Sequence, residues 1–376
     1  MKYDLFEIPA APLEAGLLPS VTGLEVQGDG TLLCGLSFAN PLLLKITPKG
    51  SGKPEIEDLG VEDYVAGGFA IVRGLRGTTT GDTALVVLQD GLLPAWVRGL
   101  VGSEWRRKEG VERAQFLRLQ EGGLGAHLRH SILQIVGGEL RVRHAKAPGA
   151  LLDVAHIGDF VFGVSESEFW REPYLNAEKR ETVRSDLEDN RQLHRDGDGN
   201  FWFRGEGGRA LRAGQTDIKA TPTTLRIKGE SFSASADSPV DGFCYGVTAE
   251  GKQLFRVRRN RISKVEEMQM IGDFSGEVTA LACVDHPENP YLLIVESDTP
   301  QGVAIHRLEL RRLGEDEEDL PAPGNLTRVG DLREFSSAST LTVDARDPAK
   351  ITAYVGEGRL EGRKGNPSPR LAILSL

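Results

Sequence analysis

The sequence predicts an all-β protein, and three observations carry that reading. Short apolar runs recur along the whole chain, separated by turns rich in Asp and Gly. The 45 glycines and 19 prolines among 376 residues suit many short strands and argue against long helices. The turn-and-strand unit repeats, with steps of 39 residues from Asp159 to Asp198 and 43 from Asp198 to Asp241. Strand-like runs also lie at both ends, at residues 3–8 and 370–376. Joined in one sheet, they would remove two open edges and the aggregation hazard that edges carry.

The elements follow in order. Asp29-Gly30 precedes an apolar run at 31–34, Asp82 one at 83–88, and Asp159 one at 160–164. Asp198-Gly199-Asn200 precedes 201–203, Asp241-Gly242 precedes 243–246, and Asn289-Pro290 precedes 291–295; a seventh unit falls at 350–355. Asp bonds nearby backbone amides and Gly accepts positive φ, which tight hairpins require. A period of about 40 residues is that of four-stranded β-propeller blades. The step from Asp82 to Asp159 is longer and contains a hairpin around Gly137-Gly138. It reads as one enlarged blade or a degenerate extra one, so seven blades are favoured over six or eight. The last unit has strands near 340–344, 351–355 and 370–375 and lacks a fourth, which residues 1–9 can supply as a closing strand. The prediction is a single closed propeller domain over 1–376. Residues 175–193 form a charged insertion, a short surface helix or a solvated excursion. Residues 313–324 form an acidic loop ending in Pro and Gly.

Single blades carry resemblances. Residues 194–203, with their Gly-Asn turn and Phe201-Trp202-Phe203 strand followed by Gly205-Glu206-Gly207-Gly208, resemble the propeller repeat of bacterial sensor ectodomains. Residues 241–256 are similar to blades of tectonin-like lectins, and 21–45 resemble a blade of gluconolactonase-like propellers. Each resemblance covers one blade and implies the fold.

Composition narrows the function classes. The net charge of −10 makes nucleic acid an unexpected partner. No run approaches the roughly 18 apolar residues of a membrane helix, and Met1-Lys2-Tyr3-Asp4 does not open a signal peptide. Cys34, Cys244 and Cys283 are odd in number and lie in apolar runs, which predicts free thiols and a cytoplasmic location. Aromatics at 6% weigh against a lectin built on stacking platforms.

Catalytic signatures are weak. Residues 246–253 nearly spell a phosphate-binding loop, but Gln253 stands where Mg²⁺ needs Ser or Thr, so a hairpin turn is expected. His127, His130, His144 and His156 lack the spacing of a zinc site and read as strand histidines. Asp196, Asp198 and Asn200 alternate as in calcium loops, but Phe201 replaces the needed glycine, so a turn is again expected. Arg256, Arg258, Arg259 and Arg261, and residues 105–108, read as solvated outer faces.

In a propeller, the loops after each second strand converge on one face. Here they carry Asp90, Glu166, Glu168, Glu206, Glu250, Glu296, Asp298 and Glu357. These acids are the candidate binding residues of a funnel that would attract a cation or a basic partner. The expected function is a noncatalytic module binding a protein partner or small ligand, with no cofactor. The alternative, implied by the lactonase-like resemblance, is a hydrolase holding Ca²⁺ or Mg²⁺ in the funnel to polarise an ester or lactone. A structural subunit of a larger assembly is the third class.

Overall fold

The computed structural model describes residues 1–12, 18–49, 53–65, 69–77, 83–91, 128–144, 151–165, 168–177, 179–184, 187, 193–204, 209–215, 218, 221–226, 234–248, 251–260, 262–313, 322–358 and 368–376. Among them the secondary structure is all strand except a single 3₁₀ turn at Val61–Tyr64.

Five four-stranded sheets follow one another in chain order. The first runs through Leu151–Ile157, Phe160–Ser165, Phe169–Pro173 and Glu181–Arg184, so the charged segment beginning at 175 supplies an outer strand rather than a helix. The second comprises His194–Arg195, Phe201–Arg204, Arg209–Ala213 and Thr221–Arg226. The third comprises Ser235–Asp237, Cys244–Val247, Gln253–Arg259 and Glu266–Asp273. The fourth holds Glu277–Val284, Tyr291–Thr299, Gly302–Glu309 and Leu326–Leu332. In the fifth, Lys2–Glu7 lies beside Arg370–Ser375, which continues through Thr352–Glu357 to Ala338–Asp344. An eight-stranded sheet contains two antiparallel meanders, Ser20–Val26 to Glu55–Asp58 and Phe69–Gly77 to Glu139–His144. A single residue pair, Ser37 with Ile71, joins them.

By internal contacts the chain divides into two compact units. One holds Met1–Asp4, Asp159–Val355 and Ala372–Leu376, the other Leu5–Gly158 and Gly356–Leu371. The first unit is held by apolar layers between successive sheets. Phe243, Tyr245 and Val247 meet Val278, Leu281, Leu292 and Ile294, and Leu293, Val295 and Ile305 meet Ala338, Ala353 and Val355. Phe162, Phe169, Phe201 and Phe203 form a further aromatic contact, with neighbouring ring centroids 4.7–5.1 Å apart. Second strands read as continuous apolar runs because both of their faces are covered: Phe160–Ser165 and Tyr291–Thr299 are buried almost throughout. Outer strands show the converse, with residues 326–329 all exposed. Gly163 is required by its opposite neighbour, since a Cβ there would fall 2.1 Å from the Trp170 ring. In the second unit, Val72, Val86, Leu88 and Leu133 anchor one cluster with Leu33, Leu42 and Leu43.

Candidate functional site

Four carboxylates stand out for what surrounds them, and two belong to the turns before second strands. Asp196 is buried and organises its own hairpin. Its Oδ1 accepts the backbone N–H groups of Asp198 and Asn200 at 3.0 and 2.8 Å, and its Oδ2 accepts Trp202 Nε1–H at 2.9 Å. Asn200 donates its amide to both oxygens, while its own Oδ1 accepts from Arg212. A cation there would meet an NH₂ group and a guanidinium, so the residues suit a turn and not a calcium loop. Burial pushes the Asp196 carboxyl above the usual carboxylate range, and the bonds from Trp202 and Asn200 offset only part of that. In the following sheet Asp241 repeats the device. It accepts Phe243 N–H at 3.3 Å and the Tyr245 hydroxyl at 2.6 Å, with Arg256 Nη1 at 3.6 Å.

The other two lie in second strands and not in the loops after them: Glu296 within Tyr291–Thr299, and Glu357 as the last residue of Thr352–Glu357. Glu296 accepts Gly276 N–H at 2.6 Å and the Ser275 hydroxyl at 2.8 Å on Oε1, and stands 2.7 Å from His306 Nε2 on Oε2. Burial opposes its charge, but the Gly276, Ser275 and His306 contacts prevail and hold its carboxyl below the usual range. Next to it, Ser297 Oγ donates to the Ala338 carbonyl and accepts the Ala338 N–H, reaching the following sheet. Glu357, in the second unit, faces Arg370 across a two-pronged pair: Oε1 to Nη2 at 2.6 Å and Oε2 to Nε at 3.0 Å. It also accepts the Arg370 backbone N–H at 3.1 Å.

Of the other acids expected to line a funnel, Glu168 closes a tight hairpin through its backbone, with its N–H on Ser165 Oγ at 3.0 Å. Asp298 is exposed with φ 57°, in the left-handed region Asp tolerates. Asp90 is placed by its backbone opposite Ala70 and Arg129. Glu166, Glu206 and Glu250 lie outside the described residues, as do residues 105–108, His127 and Arg261. Among the described residues no three His, Cys, Asp or Glu side chains come together as metal ligands. His130 is buried with Nδ1 3.1 Å from the Leu151 carbonyl.

The arginine run differs from expectation. Arg256 and Arg258 are buried, because Gln253–Arg259 is the third strand of its sheet and not the outer one. Both guanidinium groups lie over the Phe243 ring, at 4.3 and 4.6 Å from its centroid, and bond to Gln269 and Glu267 respectively. Arginines two apart on a strand share a face, so the spacing itself was the available signal.

No protein-family model matches the chain, and no curated protein does. Solved structures do. U3-55K aligns with a TM-score of 0.57 at 11% identity over 99% of this chain and 98% of its own. YCF48 bound to a D1 peptide gives 0.56 at 10% over 100% and 95%. A chain of the mitotic checkpoint complex gives 0.54 at 9% over 99% and 93%. These are β-propeller proteins, and the chain has the β-propeller fold.

Proposed function

We propose that the chain is a noncatalytic β-propeller that binds a protein partner, or a small ligand, through one face or the central funnel, and that it works in the cytoplasm. The observation that carries the reading is the commitment of Glu296 and Glu357 to His306, Ser275, Gly276 and Arg370. Carboxylates with their lone pairs so occupied are poor ion ligands, which leaves the metal-dependent hydrolase unfavoured. YCF48 with its D1 peptide and the propeller of the mitotic checkpoint complex lend support to a protein partner.

The same proposal includes a single domain of seven blades. Five are the four-stranded sheets, and the eight-stranded sheet divides at its lone Ser37–Ile71 link into two more. The strand Lys2–Glu7 then closes the ring as the outer strand of the last blade. Deleting residues 1–9 removes that strand and the fully buried Ile8, so stability should fall by about 3 kcal/mol or more. An unchanged melting curve for the truncated chain would rule out closure by this strand.

Thermal unfolding after EDTA treatment, with Ca²⁺, Mg²⁺, Mn²⁺ or Zn²⁺ added back singly, tests the functional reading. A site occupied at about 100 times its Kd stabilises by roughly 2.7 kcal/mol. The expected outcome is no selective shift. A shift confined to one ion would revive the hydrolase and direct an esterase and lactonase assay.

A further inference from the structure

We propose that the strand Lys2–Glu7 is an interface for a second copy of this chain, paired antiparallel edge to edge about a two-fold axis through Tyr3. This inference stands apart from the functional reading. The strand is outermost in its sheet, so among the described residues one row of its backbone N–H and C=O groups has no strand neighbour. What singles it out is the order of residues 1–5: apolar, cation, aromatic, anion, apolar. Side chains alternate between faces, which puts Met1, Tyr3 and Leu5 on one and Lys2 and Asp4 on the other. A two-fold axis perpendicular to the sheet must place a residue opposite its own copy. Centred on Tyr3, it sets Lys2 against Asp4 of the second copy and Met1 against Leu5 of the second copy, each twice.

The groups are ready for those partners. Met1 and Leu5 are 40% and 39% exposed. Lys2 and Asp4 are exposed, and neither side chain has an ion pair or hydrogen bond among the described residues. The charges also fix the register. Moving the axis one residue either way sets Asp4 against Asp4 or Lys2 against Lys2, and like charges directly opposite are destabilising. Four other outer strands lack this. Glu55–Asp58 and Glu266–Asp273 carry acids and no base. In Glu139–His144 and Leu326–Leu332 the opposite charges already pair within the chain, Arg141 with Glu139 and Arg328 with Asp331.

Sedimentation velocity of the full chain across a concentration series is the test. The expected result is a dimer that weakens as salt rises. Lys2→Asp alone and Asp4→Lys alone should each weaken it about tenfold or more, and the two together should restore it. Melting curves taken alongside confirm that each variant folds. A monomer at every concentration, a dimer indifferent to salt or to the single reversals, or a double variant that stays dissociated would each overturn the proposal.

Discussion

Asp196 precedes a second strand and Glu296 lies within one, and although both carboxylates are buried the protein treats their charge in opposite ways. The donors to Asp196 are neutral and lie within six residues: two amides, the Asn200 side chain and the Trp202 indole. Those bonds satisfy its oxygens, but burial still wins and the carboxyl is pushed up. Glu296 gathers donors from 10, 20 and 21 residues away, one of them an imidazole that can carry positive charge, and its carboxyl is held down. Neutral hydrogen bonds compensate the loss of water at one bond each. At Glu296 the Gly276 amide and the Ser275 hydroxyl lower the carboxyl most, and His306 adds to them, so the donors together outweigh burial; at Asp196 burial outweighs the donors.

The comparison breaks most visibly at Asp196. Replacing it with Ala strands the buried Trp202 N–H and removes the acceptor of two part-buried turn amides and of the Asn200 side chain. Buried unsatisfied donors cost roughly 1–3 kcal/mol each, so Asp196→Ala should cost about 3 kcal/mol or more in urea unfolding. A loss below about 1 kcal/mol would mean the hairpin finds other partners and that Asp196 does not organise it.

This contrast also explains how much of the protein was legible. The strands, the Asp-Gly turns and the Phe201-Trp202-Phe203 run are local features, and hairpin chemistry writes them into adjacent positions. Even there the emphasis shifts by two residues: Asp198-Gly199 marks the turn, while Asp196 holds it. The acidic residues in the second strands were visible as acids, but their partners were not. Nothing near Glu296 in sequence points to Ser275 or His306, and nothing near Glu357 points to Arg370, because these meetings depend on which strands become neighbours. The buried arginines escaped for the same reason. A run of four arginines looks like surface until its strand is known to be third in a sheet rather than fourth.

Glu296 gives the smaller and more discriminating effect. Glu296→Gln keeps an oxygen for Gly276 and Ser275 and changes only the group facing His306, so near neutral pH the loss should be about 1 kcal/mol. The pH dependence carries more information. A carboxylate whose folded pKa is depressed contributes stability above its unfolded pKa, and that contribution is lost as pH falls through the folded value. The native chain should therefore lose stability relative to Glu296→Gln as the solution is acidified from neutral to below the ordinary carboxylate range, until the gap closes. Asp196, with its carboxyl pushed up, must contribute with the opposite slope. Unfolding free energies of the native chain and the Glu296→Gln variant across acid pH measure this directly. A gap that stays constant with pH would show that Gly276, Ser275 and His306 together confer no preference for the charged form of Glu296.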